Sequence, residues 1–131
     1  MKRIIFYALC LTLPFIHLNA ASNYEVQQMT ILEVNSSINP ATFNYLQTNF
    51  KKLSAKNKDM VLLKLDTPGG LVSTTKEILT LIGSVDFPVS IWVTPEGASA
   101  TSAGAIIASS AHYLVMSEGT NIGAATPINL G

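Results

Sequence analysis

Short apolar runs alternate with longer stretches in which apolar and polar residues are mixed. Four runs have the length and composition of β-strands, at 29–34, 60–65, 88–93 and 113–116. The run at 60–65 is apolar at nearly every position, which is typical of a strand buried on both faces of a sheet. After the first run, apolar side chains recur at helical spacing at Phe43, Leu46, Phe50 and Leu53. This period predicts an amphipathic helix over residues 40–56 with its apolar face turned inward.

Helices are predicted between successive strands. The first begins at Asn39 and Pro40, because asparagine is a good helix cap and proline suits the first turn. The second is predicted from an apolar face made of Val72, Thr75, Ile78, Leu79 and Ile82. A small apolar stretch at 102–111 predicts the third, and residues 117–131 have the composition of a loop. This alternation predicts one α/β domain with a largely parallel sheet.

The first 20 residues have the pattern of a secretory signal peptide. A basic pair at residues 2–3 precedes an apolar run of 13 residues at 4–16. The run is shorter than the roughly 20 residues needed to cross a bilayer, and Pro14 interrupts it. Cleavage after Ala20 would leave one domain at 21–131, and an uncleaved N-terminal anchor is the alternative.

Charge and cysteine content narrow the range of partners. Only 12% of the residues are charged, against about 25% in an average soluble domain. Without residues 1–20, six basic residues stand against eight acidic ones, a formal charge of −2. The cationic cluster consists of Lys51, Lys52, Lys56 and Lys58. It falls at a predicted helix end, where it complements the helix dipole, so nucleic acid is not expected as a partner. The single cysteine, Cys10, lies in the predicted leader, which suits export to an oxidising compartment.

Two small-residue loops carry the candidate chemistry. Each follows a strand-like run and precedes a helix, at residues 66–70 and 97–104. In the first loop, Gly69 and Gly70 can expose backbone N–H groups, or they can form an ordinary tight turn. In the second loop, Ser102 is either a nucleophile or simply the N-cap of the helix that follows. Facing each other, the loops would form a nucleophile and an oxyanion hole.

Three segments in this order resemble the extracytoplasmic protease domain of the nodulation-efficiency protein D (NfeD) family. They are LDTPGG at 65–70, GASATSAG at 97–104 and MSEGTNIGAATP at 116–127. Members of that family are membrane serine proteases paired with stomatin-like proteins. The resemblance covers roughly residues 29–131. It implies the Clp-protease/crotonase superfold, a spiral of β-β-α units with a mainly parallel sheet.

The resemblance also implies roles for single residues. The serine before Ala-Gly is the nucleophile of the family, which corresponds to Ser102. Backbone N–H groups of Ala103 and of the Gly69-Gly70 loop would form the oxyanion hole, where loss of one donor costs about 10²–10³ in rate. Outside the resemblance, His112 is interpreted as a packing or surface histidine. Asp66 is interpreted as the cap of its own turn.

The proton-accepting base is where the sequence departs from the family. NfeD-type proteases resemble Ser/Lys enzymes, whose lysine lies a few tens of residues beyond the serine, and no lysine follows Lys76 here. Matching Pro127 to the proline of Clp proteases puts Ala125 where those enzymes have histidine, which disfavours a Ser-His-Asp triad. The base is therefore expected beyond Gly131, or it is lost, and the chain is interpreted as a fragment or an early-terminated reading frame.

The leading hypothesis is an exported, membrane-associated serine endopeptidase that cleaves hydrophobic peptide segments. A stomatin-like membrane protein would be its substrate or partner, at the periplasmic or extracytoplasmic face of the membrane, and the superfold is compatible with a homo-oligomer. No cofactor is implied, and one histidine with scattered carboxylates has no metal-ligand spacing. The alternative is a catalytically inactive fragment or scaffold that binds a stomatin-like protein. A crotonase-type acyl-thioester enzyme is disfavoured, because such enzymes need no serine on a small-residue turn.

Overall fold

The computed structural model describes residues 24–125, and the structural statements below refer to them. The predicted signal peptide and Pro127 lie outside the described residues. The strands are β1 (Gln28–Asn35), β2 (Asp59–Asp66), β3 (Val89–Val93), β4 (Ser99–Thr101), β5 (Tyr113–Met116) and β6 (Asn121–Gly123). The helices are α1 (Pro40–Phe50), α2 (Val72–Ser84) and α3 (Ala103–Ser109). No helix in this part of the chain is long and apolar enough to cross a membrane.

The main sheet contains four strands in the order β1-β2-β3-β5, and every neighbouring pair is parallel. Leu63 of β2 lies between Leu32 of β1 and Ile91 of β3. Parallel strands need crossover connections, which α1 and α2 supply between the first three strands. The short strands β4 and β6 form a separate parallel pair. The predicted α/β class with a mainly parallel sheet is therefore confirmed.

The core joins one face of the main sheet to helices α1 and α2. The buried side chains of β1–β3 are Leu32, Val34, Val61, Leu63, Leu65, Val89, Ile91 and Val93, and those of the two helices include Leu46, Phe50, Ile78 and Ile82. Alternate residues of β2 are only half-buried. On the same open face, Met29 and Ile31 of β1 are 50% and 61% exposed. The prediction that β2 is buried on both faces was therefore wrong for this part of the chain.

Helix α1 starts where the sequence predicts, with a capping box. Asn39 Oδ1 accepts the N–H groups of Ala41 at 2.9 Å and Thr42 at 3.2 Å. In return, Thr42 Oγ1 accepts the N–H of Asn39 at 3.4 Å. These bonds satisfy N–H groups that have no partner inside the helix.

The predicted end of this helix at residue 56 was wrong. Helix α1 ends at Phe50, and Ser54 caps a separate 3₁₀ turn at Ala55–Asn57. The Asp59 carboxylate accepts the Ser54 N–H at 2.8 Å, which holds this turn against the start of β2. Of the cationic cluster, only Lys51 stands at the end of the helix, as its C-cap. Lys52 follows this cap directly, whereas Lys56 and Lys58 lie in and just after the 3₁₀ turn.

Two strands of the structure were not predicted. Strand β4 lies within the small-residue loop at 97–104, and β6 lies within the predicted loop at 117–131. Helix α3 is shorter than the predicted stretch at 102–111. A strand of three residues is too short to show an alternating pattern, so only its hydrogen bonds reveal it.

Replacement of Asn39 by alanine is expected to lower the free energy of unfolding by about 1 kcal/mol, because two N–H groups lose their acceptor. Asn49→Ala is the matched control on the same helix, where the asparagine side chain donates to Tyr45 O and alanine is the better helix former. Urea denaturation of both variants measures the difference. Equal stabilities would contradict the capping role of Asn39.

Candidate active site

Ser102 lies at the junction of strand β4 and helix α3. Its φ of 54° and ψ of −113° form a sparsely populated conformation for a residue with a side chain. Such a conformation costs about 1–3 kcal/mol and persists only when surrounding contacts impose it. The Ser102 N–H donates to Gly123 O of β6 at 2.8 Å, and Ser102 O accepts the Ala105 N–H at 3.0 Å. Hydrogen bonds therefore fix the strained residue on both sides.

The Ser102 side chain is half-exposed and does not cap the helix. Although Ser102 occupies the N-cap position of α3, its hydroxyl accepts no N–H from the first turn. Within residues 24–125, Ser102 Oγ has no hydrogen-bond partner at all. A strained strand-to-helix turn with an exposed hydroxyl is also how α/β-hydrolases present their nucleophilic serine. The geometry thus disfavours the interpretation of Ser102 as a simple cap.

Gly69 packs directly against Ser102. Its φ of +112° lies in a region that residues with side chains rarely adopt. A methyl group on Gly69 would lie 2.9 Å from Ser102 Cβ, 3.1 Å from Thr101 O and 3.3 Å from Ser102 Oγ. Only glycine fits at this contact, and here the structure brings the two predicted loops together.

The second glycine of the loop, Gly70, is held against Ile38. A methyl group on Gly70 would lie 2.1 Å from Ile38 O. The Ile38 N–H donates to Gly69 O at 2.8 Å, and the Leu71 N–H donates to Ile38 O at 2.9 Å. The loop is therefore anchored on both sides of Gly70. The Gly70 N–H itself donates to no acceptor among the described residues.

Ala103 begins helix α3 directly after the serine and is 4% exposed. The first N–H groups of a helix have no acceptor inside that helix. The Ala103 N–H also finds none elsewhere in residues 24–125. Together with Gly70, it provides two backbone donors with no acceptor in this part of the protein, and backbone donors are what an oxyanion requires.

Thr67 joins the two loops, a role that the sequence did not predict for it. It forms a parallel bridge with Ala100: the Thr67 N–H donates to Ser99 O at 2.7 Å, and the Thr101 N–H donates to Thr67 O at 3.0 Å. The Thr67 hydroxyl also accepts the Gly69 N–H at 3.2 Å. A threonine two residues before the glycine was the available signal, since hydroxyl groups often bond backbone at that spacing.

Asp66 differs from its predicted role. Its carboxylate accepts the Ser99 N–H at 3.0 Å, and the described residues show no bond from it to the turn that follows. The aspartate therefore fixes the start of β4, while the neighbouring Thr67 hydroxyl holds the turn. Sequence alone suggested the local bond because the partner strand is 33 positions away along the chain.

His112 lies at the end of the sheet where the strands begin, whereas Ser102 lies near the end where β2 finishes. The ring Nδ1 of His112 accepts the Val89 N–H at 3.1 Å, and the backbone N–H of His112 donates to Val89 O at 2.9 Å. Val89 is the first residue of β3, whereas the serine turn is held beside the last residues of β2. The histidine thus supports the start of a strand, in keeping with its interpretation as a packing or surface residue.

No metal centre accompanies this site in the described part of the chain. Among residues 24–125, no group of three or more His, Cys, Asp or Glu side chains could hold a metal ion.

Two surface grooves lie away from the serine. One of about 370 Å³ lies between α1 and α2, and one of about 240 Å³ lies beside the end of β1. Neither groove is lined by Ser102 or by the glycine loop.

Comparison with known proteins gives a match between residues 28–131 and the family model described as NfeD1b, N-terminal domain. The chain is 35% identical over 98 residues to the membrane-bound protease PH1510 of Pyrococcus horikoshii, a match covering 75% of this chain and 22% of that protein. It is 29% identical over 119 residues to the membrane protein NfeD1b of Bacillus subtilis, covering 91% and 26% respectively. The chain therefore spans about a quarter of the length of these relatives.

The structure also aligns with solved structures of related proteins. A lysine-to-alanine variant of the 1510-N membrane-bound stomatin-specific protease of Pyrococcus horikoshii, in complex with a substrate peptide, aligns with a TM-score of 0.73. The identity is 32%, over 82% of this chain and 48% of that one. A ClpP1 variant from Listeria monocytogenes aligns with a TM-score of 0.55 at 20% identity, over 62% and 46%. The second likeness supports the fold alone, which is that of the Clp-like proteases.

Gly104 in α3 and Gly83 in α2 form a matched pair for testing the contact between the loops. A methyl group on Gly104 would lie 2.5 Å from Thr67 Cγ2, whereas one on Gly83 meets nothing within 4 Å. Gly104→Ala should lower the free energy of unfolding by about 1–3 kcal/mol through overpacking. Gly83→Ala should raise it by up to about 1 kcal/mol through helix propensity. If chemical denaturation finds the two variants equally stable, Thr67 does not pack on α3.

Proposed function

The chain belongs to the family of NfeD1b N-terminal domains, as its motifs predict, and we propose that it is the nucleophile-bearing part of a membrane-associated serine endopeptidase. The contact between Gly69 and Ser102 carries the proposal. It sets a half-exposed serine on a strained turn beside a loop of flexible backbone. With the N–H groups of Ala103 and of the glycine loop, these are the components that acyl transfer requires.

In the proposed reaction, Ser102 Oγ attacks the carbonyl carbon of the scissile peptide while its proton passes to a general base. The N–H groups of Ala103 and of the Gly69–Gly70 loop hold the oxyanion that forms. The tetrahedral intermediate breaks its C–N bond, the leaving amine takes the proton from the base, and an acyl ester remains on Ser102. A water molecule that the same base deprotonates then attacks the ester carbonyl. The bond between the acyl carbon and Ser102 Oγ breaks, Oγ takes the proton back from the base, and the acyl product leaves as a carboxylic acid.

We propose that the base is a lysine supplied from outside the 131 residues. Ser102 Oγ has no hydrogen-bonded lysine or histidine among residues 24–125, and His112 is engaged with Val89. A lysine can act as a base near neutral pH only when its environment lowers its pKa. The resemblance to Ser/Lys proteases supports such a residue downstream of the serine.

An apolar peptide segment is the proposed substrate. Leu71 and Val72 directly follow the glycine loop and are 52% and 56% exposed. Ile122, next to the glycine that binds the Ser102 N–H, is 37% exposed. Exposed apolar side chains beside a nucleophile favour an apolar ligand. The similar 1510-N protease is named as stomatin-specific, which supports a stomatin-like membrane protein as substrate, cut at the extracytoplasmic face of the membrane.

A second candidate is a scaffold that binds a stomatin-like protein without cleaving it. One observation favours it: among residues 24–125, no basic side chain is hydrogen-bonded to Ser102 Oγ. The exposed apolar residues Leu71 and Val72 would then serve binding alone. The two candidates differ in whether Ser102 is needed for more than binding.

Ser102→Ala is expected to abolish cleavage of an apolar fluorogenic peptide, lowering kcat/KM on the order of 10³-fold or more because no nucleophile remains. Binding of the same peptide should be retained. Ser110→Ala is the matched control, since this serine lies at the other end of α3 with its hydroxyl bonded to Ile107 O at 2.7 Å. The measurement is the steady-state cleavage rate and the peptide Kd, in detergent or lipid, of a full-length protein that extends past Gly131 and includes the proposed lysine.

Three outcomes decide between the candidates. Cleavage lost in Ser102→Ala and kept in Ser110→Ala supports the endopeptidase. Peptide binding by the parent protein with no cleavage, and no labelling of Ser102 by a fluorophosphonate, supports the scaffold. Hydrolysis of an acyl-CoA that survives Ser102→Ala would point instead to a crotonase-type activity.

A further inference from the structure

Thr67 is completely buried between the two loops, and it has no role in the proposed reaction steps. Its exposed fraction is 0%. Through the 2.7 Å bond to Ser99 O and the 3.0 Å bond from the Thr101 N–H, its backbone holds strand β4. That strand leads directly into Ser102, so the backbone of Thr67 fixes the serine side of the site.

The hydroxyl of the same residue fixes the glycine side. Thr67 Oγ1 accepts the Gly69 N–H at 3.2 Å and donates to Gly69 O at 3.3 Å. Gly69 O also accepts the Ile38 N–H at 2.8 Å. These bonds hold both peptide groups of a residue at a φ of +112°, whose Cα packs on Ser102. The hydroxyl therefore sets the orientation of the glycine loop toward the nucleophile.

The methyl group of Thr67 contacts the serine helix. A methyl group on Gly104 would lie 2.5 Å from Thr67 Cγ2, so Cγ2 already fills the space beside the first turn of α3. Gly104 directly follows Ala103, whose N–H is the proposed second oxyanion donor. One β-branched side chain thus contacts the glycine loop through its hydroxyl and the serine helix through its methyl group.

We propose that Thr67 is a positioning residue that sets the spacing between the two halves of the oxyanion hole. The inference rests on the proposed function, because it assigns the Ala103 N–H and the glycine loop to the same oxyanion. Such a hole stabilises the transition state more than the bound substrate, so misplacing it lowers kcat with little effect on KM. Loss of the Thr67 hydroxyl is therefore expected to act on kcat.

Thr67→Val and Thr67→Ser separate the two groups of the side chain. Valine keeps the methyl group and removes the hydroxyl, and it should lower kcat about 10–100-fold with KM changed less than about threefold. Serine keeps the hydroxyl and should retain kcat within about threefold. Steady-state cleavage of the apolar peptide by the full chain measures both. If kcat of Thr67→Val equals that of the parent, or KM alone changes, the inference is overturned.

Thr42→Val is the matched control. Thr42 is also buried, and its hydroxyl also bonds backbone on two sides, accepting the Asn39 N–H and donating to Ser37 O, both at 3.4 Å. It belongs to the cap of α1 and not to either loop, so kcat should be unchanged. An equal loss of kcat in Thr42→Val and Thr67→Val would reveal a general loss of stability and overturn the inference.

Amide hydrogen exchange at Gly69 tests the same contact without catalysis. Exchange should be about tenfold faster in Thr67→Val, where the Gly69 N–H has lost its acceptor, and unchanged in Thr67→Ser. If the parent protein cleaves no peptide, the proposed function fails while this measurement still decides whether the hydroxyl holds the loop. If Thr67→Val does not fold, Thr67→Ser decides: protection of Gly69 supports the inference, and loss of protection overturns it.

Discussion

The parallel bridge between Thr67 and Ala100 is the contact on which the candidate site depends. Thr67 directly follows β2, and its bridge to Ala100 pairs the end of that strand with β4 inside the second loop. Residues two positions beyond a bridged pair remain neighbours when both chains continue in the same direction, and these residues are Gly69 and Ser102. The bridge therefore brings the two residues close together, and the bonds of the Thr67 hydroxyl to Gly69 hold the glycine against the serine. This also explains why the glycine must lack a Cβ, since the register leaves no room for one.

Hydrogen bonds to nearby residues offset the free-energy cost of the strained backbone at Ser102. Its conformation costs about 1–3 kcal/mol, and a hydrogen bond in a protein contributes about 0.5–1.5 kcal/mol net. The bond to Gly123 O and the bonds from the Ala105 and Ile106 N–H groups are together comparable to this cost. Strand β6 is only three residues long, yet it supplies the first of these bonds. Its contribution to the site is thus to hold the serine turn rather than to extend a sheet.

The longer elements could be predicted because their side chains repeat with a period that burial imposes. Phe50 and Leu46 mark the inner face of α1 in sequence as clearly as in structure. The short elements could not be predicted, since the residues of β4 show no period. Their partners lie 22 positions away in β6 and 33 positions away at Asp66 and Thr67. The same limit explains Asp66, for which sequence suggests a local turn bond while the structure shows a bond to β4. The role of Thr67 was not predicted because its bonds to Ser99 and Thr101 and its contact with Gly104 join segments that are far apart along the chain.

The two loops and the base are physically separable parts of the chemistry. Among the described residues, the hydrogen bonds that orient Ser102 and Gly69 are backbone bonds or bonds to the Thr67 hydroxyl. The proposed base lies outside the 131 residues, so none of these bonds depends on its identity. Oxyanion stabilisation and binding retain about 10³–10⁴ of rate enhancement in serine proteases whose triad is broken. A fold that holds the proposed nucleophile and oxyanion donors in this way is therefore compatible with different bases, because the bonds that position these groups do not include the base.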